Sequence, residues 1–241
     1  MRLLNVFTMK LEEYFGSQIP GYDILSHCWG TEEITFGDIN GSTWREKDGA
    51  LKIVNASFQC RSRANHQRRY IWIDTCCIDK SSSAELSEAI NSMYNWYKRS
   101  VVCFAYLGDV DKDVEDEIRK SRWFTRGWTL QELVAPKEVI FFDKNWNYLG
   151  DKNTLSTLLS QITTIPEAVL ANPPRHRSCS LARKMSWAAG RETTREEDIA
   201  YCLLGLFEVN MPLLYGEGAR AFIRLQEEII KETDDQSLFA W

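Results

Sequence analysis

A single carboxylate, Glu132, stands among aromatic and apolar residues in the run SRWFTRGWTLQELVAP (121–136), with Trp128 one helical turn before it and Leu133 directly after it. At helical spacing Trp128 and Glu132 share a face, so an acid that belongs in water is placed beside a surface with reason to be buried. Such a group either pairs with a cation, Arg122 or Arg126 being nearest in sequence, or is held for chemistry. A second cluster, SHCWG, gathers Ser26, His27, Cys28 and Trp29 at the end of a short apolar run. A nucleophile beside its base is one reading of it. Neighbours on a strand point to opposite faces, however, which favours ligand-lining or turn-stabilising roles. Two more acids, Asp74 and Asp79, flank the loop TCCIDKSSS, where capping of the backbone is the simplest use of such residues.

These side chains need elements to bring them together. YDILS (22–26), YIWID (70–74), VVCFAYL (101–107) and EVIFF (138–142) read as four strands, apolar on both faces as central parallel strands are. EITFGDI (33–39) reads as a short edge strand or the start of a helix. Helices are expected over 48–66, with Leu51, Val54, Ala56 and Phe58 as a rough apolar stripe, and over 84–99, with Leu86, Ile90, Met93 and Tyr97 facing the core. A helix carrying Trp128 and Glu132 stops near Pro136. Alternation of this kind predicts an α/β fold with a doubly wound, flavodoxin-like parallel sheet flanked by helices, in the order 2-1-3-4. Its ligand crevice opens beyond the C-terminal ends of the first and third strands, where SHCWG and the loop leading to Glu132 lie.

Beyond residue 150 the pattern is helical, over 153–162, 181–189, 195–207 and 218–231. Ile199, Leu203 and Leu206 form one expected apolar face; Phe222, Leu225 and Ile229 form another. The expected organisation is one domain over 1–241, an α/β core (1–150) with a helical half (151–241) packed on it. TTREED (193–198) reads as a helix start with Thr194 as N-cap and Glu197 completing a capping box. YGEG (215–218) reads as a tight turn, and the tail DDQSLFAW as a segment docked on the body.

Composition narrows the classes. With 241 residues, 44% hydrophobic content and nine Trp, the chain can build a large core. A net charge of -5 gives no basic field for nucleic acid, and RSRANHQRR (61–69) is the exposed end of a helix. The seven cysteines lack recurrent CxxC spacing and the three histidines, His27, His66 and His176, are isolated; reduced thiols and no metal site are expected. Asp109, Asp111 and Asp113 resemble the opening of a calcium loop, but Val114 replaces the required Gly, so a solvated acidic loop is expected. No secretory signal or membrane-spanning run is present in this sequence, and the expected location is the cytoplasm.

YDILSHCWG, YIWIDTCCIDKSSSAELSEAINSMYNWYKRSVVCFAYLGDV, SRWFTRGWTLQELVAP and TTREEDIAYCLLGLFEVNMPLLYGEGARAFIRLQEEI strongly resemble the successive blocks of the HET (heterokaryon incompatibility) domain of filamentous fungi, across the whole chain. That resemblance implies an effector of self/non-self recognition that triggers programmed death of fused cells. In the family such a domain is commonly the N-terminal effector of a larger protein, sometimes followed by nucleotide-binding oligomerisation and WD-repeat regions, so the chain is either the effector module alone or the first part of something longer. Self-association or a clustering partner, as in TIR-like systems, is the expected means of activation. No GxxxxGK[ST] phosphate loop or WD repeat is visible in these residues.

The order of the strands, and a Trp-containing helix that reaches Glu-Leu, is similar more distantly to the TIR domain, some members of which hydrolyse NAD with a glutamate on that helix. Segment by segment that glutamate falls on Glu132. The acidic insert 109–120, a longer Trp-to-Glu spacing and the helical half are departures from the TIR pattern. The implied chemistry is cleavage of the nicotinamide–ribose bond through an oxocarbenium-like state, which one carboxylate can stabilise without metal or cofactor. NAD is then substrate, Trp29 and Trp128 offer stacking surfaces, Arg126 the pyrophosphate contact, Asp74 a ribose contact, and Ser26 to Trp29 line the site. The alternative from another class is a signalling module that recruits a death-inducing partner and turns over nothing. A hydrolase with Cys28 as nucleophile is the remaining reading.

Overall fold

The computed structural model describes residues 1–63, 69–111 and 115–240. Its seven strands are β1 (Arg2–Asn5), β2 (Lys10–Glu13), β3 (Asp23–His27), β4 (Tyr70–Trp72), β5 (Cys103–Tyr106), β6 (Val139–Phe142) and β7 (Tyr148–Asp151). They form one mixed sheet in the order β2-β1-β4-β3-β5-β6-β7. The four apolar runs occupy its centre as parallel β4-β3-β5-β6, with every residue of β3 and β6 buried. In the register of β3 with β5, Ser26 lies opposite Ala105 and His27 opposite Tyr106, at the C-terminal ends of both strands. The outer strands pair antiparallel, β1 with β4 and β2, and β7 with β6. They escaped the sequence pattern because none is a continuous apolar run: β2, KLEE, carries one apolar residue, and β1, RLLN, and β7, YLGD, carry two each.

Helices cover the sheet. The Ser83–Arg99 helix is opened by Ser82, whose side chain accepts from the Glu85 N–H, and closed by Lys98 and Arg99 in its last turn. Ile90, Met93 and Tyr97 are buried as expected, together with Ala89 and Tyr94, and Leu86 is partly buried. The Ala50–Arg63 helix turns differently from the expected stripe: Ala50, Ile53, Ala56, Ser57 and Cys60 are buried, whereas Leu51, Val54 and Phe58 are exposed. Small residues on the inner face let this helix lie close to the sheet, and the bulky ones are turned outward. EITFGDI forms no strand; Phe36–Ile39 is a helical turn with a Thr35–Asp38 capping box.

In the C-terminal half, the expected helix over 195–207 is two short ones, Asp198–Tyr201 and Leu204–Phe207. Leu203 and Leu206 are buried, but Ile199 is exposed because that break changes the phase of the apolar face. Gly205 lies so near the Ser83–Arg99 helix that a Cβ there would stand 2.0 Å from the Tyr94 Cβ. Asn91 fastens the same contact, accepting from the Met211 N–H and donating to the Met211 carbonyl, each at 3.3 Å. Leu225 and Ile229 of the Arg220–Glu232 helix are buried and Phe222 packs beside them. The tail docks through Leu238 and by capping: Asp235 and Ser237 accept from the first N–H groups of the Leu181–Ala188 helix. His66, Asp113, Val114, Trp241 and the middle of the 61–69 run lie outside the described residues. No helix among the described residues is long and apolar enough to cross a membrane.

Candidate functional site

Beyond the C-terminal ends of β3 and β4 opens a cleft of about 300 Å³. The Thr129–Val134 helix forms its floor, with Trp128 at the N-cap. His27, Cys28, Trp29, Asp74, Arg126, Trp128 and Glu132 all line it, so seven of the eight residues singled out from sequence converge. The eighth, Ser26, is fully buried behind Glu132. Asp79 stays outside, where its carboxylate accepts from the backbone and hydroxyl of Ser81 as a turn cap.

Glu132 is 7% exposed. Neither Arg122 nor Arg126 pairs with it, which corrects that reading: Arg126 instead donates to the Thr194 hydroxyl at 3.1 Å, and the Arg122 N–H to Asp109. The Ser26 hydroxyl donates to the Glu132 carboxylate, and the Trp123 indole donates to Ser26 at 2.8 Å. Burial pushes the Glu132 carboxyl up to about 8; the Ser26 hydrogen bond opposes the rise and the Asp74 carboxylate adds to it. At neutral pH this is a carboxylic acid aimed into a cleft.

His27 lies between two carboxylates, with Nε2 3.4 Å from Glu33 and Nδ1 3.9 Å from Asp74. Burial raises the Glu33 carboxyl, but His27, the Gly30 N–H and the Lys52 ammonium outweigh it and hold Glu33 at about 2. Trp29 is 52% exposed yet fixed at the rim: its indole donates to Asp74 at 2.8 Å and Lys80 Nζ lies 3.6 Å from its ring centroid. Cys28 is unsuited to nucleophilic attack. Burial, with the charges of Glu132 and Asp109, pushes its thiol up to about 11, the reverse of thiolate activation.

The helical half contributes Thr194, Arg195, Asp198 and Tyr215 to the opposite wall. Thr194 is no N-cap and Glu197 closes no capping box; the helix begins at Asp198, and Glu197 Oε1 accepts from the N–H groups of Gly216 at 2.7 Å and Gly218 at 3.1 Å. Both glycines have positive φ, and the YGEG turn they make is held by a carboxylate two short helices earlier in the chain. Glu33, Lys80, Tyr97 and these wall residues were not singled out as site residues, since nothing in one dimension reports which distant segments face the same cleft. The Asp109–Asp111 loop is accounted for by Ser121, Arg122, Lys144 and Asn145. No group of metal-ligating side chains occurs among the described residues.

Residues 22–116 match the model of the family described as heterokaryon incompatibility protein (HET), and residues 220–241 that of a domain of unknown function, DUF8212. The vegetative incompatibility protein HET-E-1 of Podospora anserina is 44% identical over 227 residues, 89% of this chain and 16% of the relative. The chain thus spans a small part of the relative it matches. No solved structure matches it.

Proposed function

This chain belongs to the heterokaryon incompatibility family, and from that premise we propose that it is a cytoplasmic effector module of fungal non-self recognition that triggers cell death by hydrolysing NAD. The observation that carries the catalytic reading is Glu132: a buried carboxyl on the floor of a cleft with Trp29 and Trp128 in its walls. The parallel order β4-β3-β5-β6, which is 2-1-3-4 among the expected strands, supports a flavodoxin-like, TIR-like core with Glu132 in the position of the TIR glutamate.

The chemistry follows from the charges. Nicotinamide in NAD is already cationic, so the C1′–N bond breaks with its electron pair going to nicotinamide and positive charge developing on the ribose. A cationic ring entering the cleft favours ionisation of Glu132, whose proton passes to solvent, because an opposite charge nearby stabilises the carboxylate. The carboxylate then accepts from ribose hydroxyls and stabilises the oxocarbenium-like state, while Ser26 and Trp123 fix its orientation. Water adds at C1′ and releases its proton to solvent. Asp74, which lines the same cleft, is a second acceptor for ribose.

Purified chain, monomeric and forcibly clustered, is to be assayed for nicotinamide release beside Glu132→Ala and Glu132→Gln. The expected result is release that needs clustering and falls about a hundredfold or more in both variants. Clustered wild type that releases none, yet still kills cells as well as its Glu132 variants do, establishes the second reading, recruitment of a partner without turnover. One observation favours that reading: Leu51, Val54 and Phe58 form an exposed apolar row on the Ala50–Arg63 helix. Regions beyond this chain, in a protein as long as the relative, would supply the clustering signal.

A further inference from the structure

The cations of the cleft stand on two sides: Lys80 lies with Trp29 and Asp74 near the strand ends, whereas Arg126 and Arg195 stand on the wall shared with the helical half, beside Asp198. Neither guanidinium makes a close ion pair among the described residues: Arg126 donates to Thr194, and Arg195 lies 4.4 Å from the centroid of the Tyr215 ring, with the Asp198 carboxylate near enough to feel its charge.

The spacing of these two arginines is built into the backbone. Gly127 N–H donates to the Glu192 carbonyl at 2.9 Å, Glu192 N–H donates to the Thr125 carbonyl at 2.6 Å, and Arg126 and Glu192 form a parallel bridge. Arg126 and Arg195 are thereby carried on two chain segments zipped side by side. Behind Arg195 the support continues: the Tyr215 hydroxyl donates to Asp198 at 2.9 Å, and the Trp128 indole is hydrogen-bonded to the same carboxylate. Glu197 holds the turn that carries Tyr215. Folding alone does not call for two guanidinium groups without close ion pairs on one lip of a cleft, with an aromatic ring and a hydrogen-bonded acid positioning one of them.

We infer that Arg126 and Arg195 form a clamp for the diphosphate of a dinucleotide, with Tyr215 and Asp198 as positioning residues, so that the helical half supplies the site's selectivity for dinucleotides over nucleosides. Planar guanidinium groups are suited to bidentate contact with phosphate oxygens, and two of them match two linked phosphates. The inference rests on the NAD reading of the same cleft and adds to it which residues read the part of the substrate remote from the scissile bond.

Calorimetric titration of the full chain with ADP-ribose, nicotinamide riboside and inorganic diphosphate tests it. ADP-ribose affinity is expected to fall about tenfold or more in Arg195→Ala and in Arg126→Ala, and to recover in part in Arg195→Lys. Tyr215→Phe, which removes only the hydroxyl that anchors the ring to Asp198, is expected to weaken ADP-ribose several-fold. Nicotinamide riboside binding is expected to be the same in wild type and Arg195→Ala. Wild-type ADP-ribose affinity in both alanine variants, with unchanged melting temperatures, overturns the clamp, as does equal loss for the riboside. If that result accompanies nicotinamide release by clustered wild type, the clamp alone fails. If the arginine variants lose ADP-ribose while clustered wild type releases no nicotinamide, the clamp stands and the hydrolase reading fails.

Discussion

An ionised carboxylate behind Trp128 would need hydration that the floor of the cleft denies it, so Glu132 keeps its proton in the free protein up to about pH 8, against 4.5 for an unperturbed group. The unfolded chain gives up that proton near pH 4.5 and the folded chain does not, so stability falls as pH rises between 4.5 and 8 and then levels off. Glu132→Gln keeps the shape without the proton. Urea unfolding across that window is expected to show the variant gaining on wild type as pH rises, by a few kcal/mol, roughly, at the upper end. Ser26→Ala leaves both the Trp123 indole and Glu132 without their shared partner; a loss of about 1–3 kcal/mol is expected in the same measurement. Glu132 was legible in sequence because an acid inside an apolar helical run is anomalous wherever the helix lies. Its partner Ser26 was legible only as part of a cluster, and Asp198, which touches Trp128 from the far wall, was read as structural.

The Thr129–Val134 helix is too short to stand by itself, and its end is held from outside. Lys152, just past β7 and buried, donates to the carbonyls of Leu133 and Pro136 with no carboxylate paired to it among the described residues, and burial lowers its ammonium to about 8. It serves as the cap that the helix lacks. Lys152→Ala empties that space and orphans two carbonyls; we expect a stability loss of about 2–4 kcal/mol, read by thermal unfolding, and a lower nicotinamide-release rate because Glu132 rides on this helix. No sequence signal pointed to this cap, since a lysine after a strand is ordinarily solvated. Helices and central strands were legible because their periods are local properties of the chain. The inward phase of the Ala50–Arg63 helix was not, because Leu51, Val54 and Phe58 repeat with the same period as the smaller residues that lie against the sheet.

Across the whole molecule, the helical half meets the Ser83–Arg99 helix through Gly205 against Tyr94 and Met211 against Asn91, and completes the wall of the cleft. Gly205→Ala forces the Leu204–Phe207 and Ser83–Arg99 helices apart; a loss of about 3 kcal/mol or more is expected on denaturation, with nicotinamide release falling as the wall moves. The sheet has a further consequence for how copies of this chain meet. Its four parallel strands are shielded on either side by antiparallel arms, which end in the border strands β2 and β7, and β2 presents Lys10 and Glu13 at its two ends. Charges on a four-residue border strand make it a poor template for a neighbour's backbone. Copies brought together are therefore expected to touch through side-chain surfaces, such as the Leu51–Val54–Phe58 row, and to separate on dilution when followed by light scattering, instead of fusing into a continuous ribbon through β2.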